Sequence, residues 1–367
     1  MTDLLSRHDV LLADLDGTLY RGRGAVPGAV EAVGDAKKRG VRTVYVTNNA
    51  SRRPSDVAAH LAELGFPASD GDVVTSSQAA AAMLAQQLPA GARVLVVGTD
   101  ALAAEVTRVG LSVTERADDA VAVVQGHSPD TGWRLLAEAS VALRAGAVWV
   151  ACNLDSTLPT ERGLLPGNGA MVSVLRVATG RGPQVAGKPA PELLHRAVER
   201  TGAQAALMVG DRLDSDVEGG RAAGLPTLLV MTGVSDAAEL LAAPGPLRPD
   251  YVGADMGALT RAPEELAPGA RPGWDVTVNG QGELTLTAAG GTDPLDALRT
   301  LCAAHWAAGG GTVRVTADGG DAARALQALG LDAPDVASDT VGGADMTARA
   351  PGEARADTGI DNAGARR

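Results

Sequence analysis

The chain repeats one local pattern, in which a short apolar run leads to a polar tip and then to a helical stretch. The run Val10–Ala13 leads to a tip at 14–18, and a second run at 41–46 leads to a tip at 47–49. Both runs are too apolar for strands with one face in water, so they fit a sheet that is covered on two faces. Strands that alternate with helices predict an α/β fold with a parallel sheet.

The pattern continues to about residue 255. We expect further strands at 93–97, 121–125, 147–151, 205–209 and 227–231, and helices at 26–38, 54–64, 101–109, 133–145, 168–179 and 191–200. Related polar tips lie early, at 14–18 and 47–49, and late, at 188 and 211–216. Because a separate α/β pattern lies between them, the sequence predicts a sheet domain at 1–77 and 184–255, with a second domain inserted at 78–183.

A different pattern follows a segment at 253–273 that is rich in proline, glycine and alanine. Two short strand patterns flank Asn279 and Gly280, which is a hairpin signal. With a helix at 294–307, a strand at 312–316 and a helix at 321–329, they predict a small α+β domain at 274–345. It carries no motif that indicates a function. Residues 346–367 lack periodicity and predict a disordered tail.

Charge and composition narrow the class of partner. The formal net charge is −12 and aromatic residues make up 2% of the chain, which argues against a nucleic-acid partner. No apolar stretch reaches the length of a membrane span, and no signal peptide is visible. The two cysteines, Cys152 and Cys302, are too few for a disulfide scaffold. We expect a cytoplasmic protein with neither a membrane nor a nucleic acid as partner.

The first polar tip contains two carboxylates that have the chemistry of phosphoryl transfer. Asp14 directly follows a buried run, and Asp16 is followed by Gly17. One carboxylate can attack phosphorus and carry the phosphoryl group, while the other serves as acid and then as base. A glycine allows a sharp turn that directs backbone N–H groups toward a phosphate. The same residues also fit a loop with two solvated acids, and this tip alone does not decide between the two.

The other tips supply the remaining groups of such a site. Thr47 offers a hydroxyl donor, although a turn stabilised by its side chain is the simpler interpretation. Lys188 offers a positive charge for a phosphate and for Asp14, although most lysines are merely solvated. Asp211 ends another apolar run and Asp216 follows it. Magnesium prefers such carboxylates, but an acidic loop is equally possible from these residues alone.

In combination, the four tips resemble the motifs of the haloacid-dehalogenase superfamily of aspartate-nucleophile phosphatases. The resemblance implies that Asp14 is the nucleophile and Asp16 the general acid and base. It also implies that Thr47 and Lys188 bind the phosphoryl group and that Asp14, Asp16 and Asp211 hold Mg²⁺. Asp216 orients the metal site, and Gly17, Asn48 and Asn49 face the phosphate. The implied fold is a Rossmann-like parallel-sheet core with an inserted α/β cap, to which this chain adds a small C-terminal α+β extension.

The tip at 47–51 and the segment 158–169 are similar to the nitrophenylphosphatase-like subfamily. That subfamily includes glycerol-3-phosphate, phosphoglycolate, pyridoxal-phosphate and nucleotide phosphatases. The resemblance implies a small phosphate ester as substrate, with glycerol 3-phosphate or phosphoglycolate as first choice. Within the cap, it directs attention to Asn153 and Arg162 as contacts for the organic part of the substrate. It also implies a homodimer.

Two other functions remain open from the residues. A phosphotransferase or mutase would pass the phosphoryl group from Asp14 to an alcohol rather than to water. A non-enzymatic phospho-acceptor domain would also place an aspartate at a strand end with Mg²⁺ and a lysine. Such a domain has no use for an acid and base at Asp16 or for a large inserted cap, so we expect a hydrolase.

Overall fold

The computed structural model describes residues 2–332 except 161 and 281, and it leaves out the side chains of 159 and 160. The predicted tail at 346–367 and the last part of the predicted C-terminal domain, 333–345, lie outside the described residues. The first part of the chain contains β1 (Val10–Ala13), β2 (Tyr20–Arg21), β3 (Gly24–Ala25), α1 (Ala29–Lys38), β4 (Arg42–Thr47), α2 (Pro54–Glu63), β5 (Val73–Thr75) and α3 (Ser76–Gln87).

The middle of the chain forms a second α/β segment. It contains β6 (Arg93–Val97), α4 (Asp100–Arg108), β7 (Ser112–Thr114), β8 (Ala122–Gln125), α5 (Trp133–Arg144), β9 (Val148–Ala151), β10 (Thr157–Thr160), β11 (Gly163–Pro166), α6 (Asn168–Thr179) and β12 (Gln184–Val185). Its main sheet is parallel, in the order β12-β9-β8-β6-β7, and β10 and β11 form a separate antiparallel hairpin.

The chain then returns to the first sheet. It adds α7 (Glu192–Thr201), β13 (Ala206–Gly210), α8 (Glu218–Ala222), β14 (Thr227–Val230), α9 (Ala237–Ala242), β15 (Tyr251–Gly253) and α10 (Pro263–Leu266). The completed sheet is parallel throughout, in the order β15-β14-β13-β1-β4-β5. Strand β1 lies between β13 and β4, with Ala13 opposite both Val209 and Tyr45. The residues that follow these three strands therefore meet at one edge of the sheet.

Alternate residues of β1 enter two different hydrophobic clusters. Leu11 and Ala13 belong to the cluster on one face of the sheet, and Val10 and Leu12 to the cluster on the other. All four are at most 5% exposed. Since burying one leucine side chain contributes about 1.5–3 kcal/mol, the continuous apolar run fixes β1 as a central strand covered on both faces.

The last described part of the chain forms a third, smaller sheet. It contains β16 (Trp274–Gly280), β17 (Glu283–Ala288), α11 (Pro294–Ala307), β18 (Arg314–Asp318) and α12 (Gly320–Ala328). Strand β17 pairs antiparallel with β16 and parallel with β18. We refer to residues 274–332 as the C-terminal unit. Within the described residues, no helix combines the length and the apolar character needed to cross a bilayer.

The structure corrects several predicted element bounds. Helix α1 begins at Ala29 rather than at 26, because Gly28 has a positive φ of 79° and interrupts the helical path. Strand β18 begins at Arg314 rather than at 312, because the three glycines at 309–311 all have positive φ and prolong the turn. Strand β5, helix α3 and the hairpin of β10 and β11 were not predicted. The predicted boundary at 77/78 lies in the first turn of α3, which contacts strands of both parallel sheets. The division into domains stays a prediction.

Candidate active site

Three carboxylates and one ammonium group meet at the carboxyl edge of the first sheet. Asp14 follows β1, Asp211 follows β13, and Asp216 lies in a single π-helical turn, Leu213–Val217. One carboxylate oxygen from each aspartate lies within 4.8 Å of the other two. The ammonium group of Lys188 donates to Asp14 Oδ1 at 2.6 Å and to Asp216 Oδ1 at 2.7 Å. The structure thus brings together four of the residues predicted from the sequence.

Burial disfavours the charged forms of the side chains in this cluster. The side chains of Lys188 and Asp216 are each 2% exposed, and that of Asp14 is 15% exposed. Burial raises the pKa of Asp14, while the nearby Lys188 ammonium acts in the opposite direction. The two carboxylates raise the pKa of Lys188 against the effect of its burial, so the lysine keeps its charge. An ion pair in this setting is much stronger than one on the surface.

Asn48 fixes the position of Lys188 through the backbone. Its Oδ1 accepts from the Lys188 N–H at 2.9 Å, and its Nδ2 donates to the Lys188 carbonyl at 2.9 Å. The preceding Gly187 makes this approach possible, because a Cβ there would lie 2.5 Å from the Cys152 carbonyl oxygen and 2.6 Å from Asn48 Oδ1. Asn48 was predicted to bind the substrate, but both ends of its carboxamide are used by the protein.

Asp211 is held by donors from both sides of the site. Its Oδ2 accepts from the Val234 N–H at 2.7 Å, and its Oδ1 accepts from Thr18 Oγ1 at 3.3 Å. A Cβ on Gly17 or on Gly233 would overlap the Asp211 carboxylate, so both glycines are required for its close packing. Burial and the neighbouring Asp216 raise the pKa of Asp211 to about 6.

Asp216 links the lysine to the loop after β13. While its Oδ1 binds Lys188, its Oδ2 accepts from the backbone N–H groups of Asp211 and Arg212, each at 3.1 Å. Gly210 has no side chain that would collide with Asp216. Asp216 therefore contacts both the Lys188 ammonium and the backbone of Asp211, and its role beside a metal ion stays a prediction.

Asp16 lies at the open side of the cluster. Its Oδ2 accepts from the Tyr20 hydroxyl at 3.4 Å, and the ring of Tyr20 contacts the ring of His60 edge to face. The Asp16 side chain remains exposed to solvent, but partial burial of its carboxyl raises the pKa of that group. A carboxyl group with a raised pKa is suited to proton transfer.

The side chains of the tip after β4 also hydrogen-bond to the backbone of their own turn. Thr47 Oγ1 accepts from the Asn49 N–H at 3.1 Å, which leaves the hydroxyl proton available to an acceptor. Asn49 Oδ1 accepts from the N–H groups of Ser51 and Arg52 at 2.8 and 3.2 Å. The Asn49 carboxamide oxygen therefore stabilises the turn.

The two predicted cap residues are in different environments. Asn153 is buried; its Nδ2 donates to the Asn48 carbonyl at 2.7 Å and its Oδ1 accepts from the Asp155 N–H at 3.2 Å. Its carboxamide thus joins the second α/β segment to the tip after β4. Arg162 is exposed in the turn between β10 and β11. The substrate contact predicted for these two residues stays a prediction.

The donor set fits a divalent cation. The buried carboxylates of Asp211 and Asp216 and the partly buried carboxylate of Asp14 face one ammonium group, so the cluster carries excess negative charge. Burial first, and then the neighbouring Asp216, raise the pKa of Asp211. Carboxylate oxygens are the ligands that Mg²⁺ prefers, and a site with few protein ligands leaves room for water and a phosphate oxygen. Asp14 and Asp211 are the side chains placed to hold the ion.

Several supporting residues were not identified from the sequence. Thr18, Val234 and Tyr20 contact the predicted aspartates, but two of them act through a hydroxyl and one through a backbone N–H. Asp155 accepts from Asn48 Nδ2 at 3.4 Å, and burial raises its pKa. Tyr20 lies four positions from Asp16, whereas the contacts of Thr18, Val234 and Asp155 join parts of the chain that are 193, 23 and 107 positions apart.

Comparison with protein-family models matches three parts of the chain. A model described as haloacid dehalogenase-like hydrolase matches residues 11–112, and one described as HAD-hydrolase-like matches residues 185–259. A model described as a GCN5-related N-acetyltransferase like domain matches residues 271–331.

Curated relatives extend over most of the chain. D-glycerol 3-phosphate phosphatase of Mycobacterium tuberculosis is 52% identical over 316 residues, which make up 84% of this chain and 88% of that protein. Acid sugar phosphatase of Staphylococcus aureus is 38% identical over 233 residues, which make up 63% of this chain and 89% of that protein.

Solved structures of phosphatases are also similar to this chain. Glycerol phosphate phosphatase from Mycobacterium tuberculosis, in complex with magnesium, has a TM-score of 0.86 at 52% identity and covers 90% of this chain and 99% of its own. A thermostable NPPase double mutant from Geobacillus stearothermophilus has a TM-score of 0.63 at 32% identity, with 68% and 97% covered. The match to the glycerol phosphate phosphatase extends into the C-terminal unit.

Proposed function

The chain belongs to the haloacid dehalogenase-like hydrolase family, and we propose that it hydrolyses glycerol 3-phosphate through an aspartyl-phosphate formed on Asp14. It is a magnesium-dependent phosphatase that acts on phosphate monoesters. The observation that carries the proposed role of Asp14 is its buried contact with Lys188, at 2.6 Å, beside Asp211 and Asp216.

Lys188 gives Asp14 the charge state that a nucleophile needs. A buried carboxyl tends to take up a proton, and a protonated carboxyl cannot attack phosphorus. The ammonium group at 2.6 Å favours the carboxylate, and a divalent cation between Asp14 and Asp211 would favour it further. When bound, the metal also draws negative charge off the phosphoryl oxygens.

The reaction then proceeds in two displacements. An Asp14 oxygen bonds to phosphorus while the bond from phosphorus to the ester oxygen breaks, and Asp16 gives its proton to the leaving alkoxide. In the second displacement, Asp16 takes a proton from water as the water oxygen attacks phosphorus, and the Asp14 carboxylate is released with inorganic phosphate. Thr47 and Lys188 donate to the phosphoryl oxygens in both steps.

The inserted α/β segment supports a small substrate. Its loop at 153–155 reaches the tip after β4, where Asn153 donates to the Asn48 carbonyl and Asp155 accepts from the Asn48 carboxamide. A segment placed against the site in this way excludes bulk water and large phosphoproteins. Among small esters we favour glycerol 3-phosphate, because the M. tuberculosis relative that extends over 84% of this chain is a D-glycerol 3-phosphate phosphatase.

The test is phosphate release from a panel of esters, measured with Mg²⁺ and after chelation. The panel contains glycerol 3-phosphate, phosphoglycolate, a hexose phosphate, a nucleoside monophosphate and pyridoxal phosphate. We expect glycerol 3-phosphate to have the highest kcat/KM, and we expect Asp14→Asn to lose at least about a thousandfold in kcat while keeping its melting temperature. Asp118→Asn, which changes an exposed aspartate of the second α/β segment, is the matched control.

Each alternative has its own outcome in this test. Preference for the hexose phosphate or for phosphoglycolate would refute the substrate and leave the mechanism intact. Transfer of phosphate to an added alcohol in preference to water would indicate a phosphotransferase. Stable labelling of Asp14 without turnover of any ester would indicate a phospho-acceptor domain. Turnover by Asp14→Asn at the wild-type rate would refute the nucleophile.

We also propose a cytoplasmic homodimer. The free thiols of Cys152 and Cys302 are both buried, as suits a reducing compartment. Trp133 on α5 and Val177 on α6 are each 81% exposed, and aromatic side chains such as that of Trp133 are enriched in interfaces between protein chains. Sedimentation equilibrium of the wild type and of Trp133→Glu tests the dimer, which we expect the substitution to dissociate.

A further inference from the structure

The C-terminal unit shares one hydrophobic cluster with the phosphatase sheet domain. Leu240 and Leu241 of α9 belong to the same cluster as Leu298, Leu301 and Cys302 of α11, and all five are fully buried. Helix α11 packs directly against α9. The C-terminal unit is therefore joined to the domain that carries the candidate site through a dry, close-packed contact rather than through a polar surface.

Polar contacts fix the register of this interface. Trp306 Nε1 donates to the Leu241 carbonyl at 3.1 Å, and the Arg248 guanidinium lies over the Trp306 ring, 5.0 Å from its centre. Arg299 is fully buried and donates from Nε and Nη2 to the Val252 carbonyl, at 3.1 and 2.6 Å. Arg299 also donates from Nη1 to Asp296 Oδ1 on the same helix, at 2.6 Å. Because a buried guanidinium is stable only with such partners, separating the two parts would remove the Val252 carbonyl and leave Arg299 with Asp296 alone.

Helix α9 continues directly from the loop that holds Asp211. In that loop, the Val234 N–H donates to Asp211 Oδ2 at 2.7 Å and the Ser235 N–H donates to the Asp211 carbonyl at 3.1 Å. Asp236 then caps α9 by accepting from the Glu239 N–H at 2.8 Å. A helix of six residues is not stable by itself, so the position of α9 depends on what packs against it.

We infer that the C-terminal unit serves the phosphatase reaction, because α11 holds α9 and α9 holds the 233–236 loop against Asp211. Leu301 and Trp306 are positioning residues in this arrangement, since Leu301 shares the buried cluster of Leu240 and Leu241 and Trp306 donates to the Leu241 carbonyl. The inference rests on the proposed role of Asp211 as a metal ligand. The residues of the C-terminal unit match a family model named after N-acetyltransferases. In this arrangement they contribute to phosphate-ester hydrolysis.

The experiment compares two leucines of the C-terminal unit in the full chain. Leu301→Ala opens a cavity beside α9, whereas Leu326→Ala, the matched control, opens one under α12, which packs on β17 and β18. Amide hydrogen exchange at Val234 and Ser235 is measured in the metal-free protein, and the Kd for Mg²⁺ is measured by calorimetry. For Leu301→Ala we expect exchange to become faster and Mg²⁺ binding weaker, each by roughly two- to thirtyfold, with Leu326→Ala unchanged.

A second variant covers the case in which Leu301→Ala does not fold. Trp306→Phe removes only the indole N–H that binds the Leu241 carbonyl, and we expect the same changes at smaller size. Equal effects of Leu301→Ala and Leu326→Ala, or no effect of Leu301→Ala and Trp306→Phe, would overturn the inference.

Asp211→Asn separates this inference from the proposed function. If Asp211→Asn leaves Mg²⁺ binding and turnover unchanged, the proposed metal site is wrong and the inference is overturned with it. If Asp211→Asn abolishes both while Leu301→Ala and Trp306→Phe change neither exchange nor the Kd, only the role of the C-terminal unit is wrong.

Discussion

The carboxamide of Asn48 forms hydrogen bonds to both backbone groups of Lys188. It accepts from the N–H and donates to the carbonyl, each at 2.9 Å. The two residues are 140 positions apart in the chain. The lysine ammonium lies within 2.7 Å of two aspartates, and this contact holds the backbone that carries it. Asn48 is thus a positioning residue for Lys188.

Asn48→Ala should lower kcat by roughly ten- to hundredfold and leave KM nearly unchanged, because a displaced lysine stabilises the transition state less well. Steady-state kinetics with the preferred ester measure both constants. Asn279→Ala, at an exposed position near the end of β16, is the control and should have the wild-type kcat and KM. A raised KM with unchanged kcat would instead support the substrate contact first predicted for Asn48.

Lys188→Ala should reduce both activity and stability. It leaves the buried carboxylates of Asp14 and Asp216 without their cation, which we expect to cost about 3–5 kcal/mol in the free energy of unfolding of the metal-free protein. Turnover should fall by at least about a hundredfold. Lys38→Ala removes an exposed pair with Asp35 and should leave the free energy of unfolding nearly unchanged, because water screens that pair. Urea unfolding that gives equal values for both variants would contradict the buried pairing.

Gly233→Ala should weaken Mg²⁺ binding, because the added Cβ would overlap the Asp211 carboxylate and force it to move. Calorimetry should show a loss of at least about tenfold in affinity, which corresponds to about 1.4 kcal/mol. Gly34→Ala in α1 is the control, since no atom lies within 4 Å of its added Cβ and alanine favours the helix by about 1 kcal/mol. Unchanged Mg²⁺ affinity in Gly233→Ala would argue against Asp211 as a ligand.

The contribution of Asp211 to the stability of the metal-free protein should fall as the pH rises from about 4 to about 6. Burial and Asp216 raise the pKa of Asp211 to about 6, above its value in the unfolded chain, so Asp211 binds more protons in the folded state across this window. Its contribution to the free energy of unfolding therefore falls as the pH rises through the window. Urea unfolding after chelation measures this slope, which Asp211→Asn should reduce. A slope that is the same in both proteins would show that Asp211 titrates elsewhere.

The local sequence predicted the central elements of the fold well. Residues 10–13 are apolar at every position, and only a strand covered on two faces buries all of them, which is how β1 lies in the sheet. Helix α6, at 168–179, and helix α11, at 294–307, have the predicted bounds because apolar spacing and flanking residues specify them locally. Strand β5, with only three residues, is too short to give a pattern.

For the site, the sequence determined which chemical groups are available, and the tertiary structure decided what each one does. A polar residue that directly follows an apolar strand is visible in the sequence, which is why Asp14, Thr47 and Asp211 were identified. Whether a carboxamide such as that of Asn48 faces a substrate or a distant backbone depends on contacts between parts of the chain that have no local relation. The link from α11 through α9 to Asp211 could not be predicted for the same reason. The sequence of the C-terminal unit does not show on which surface it packs.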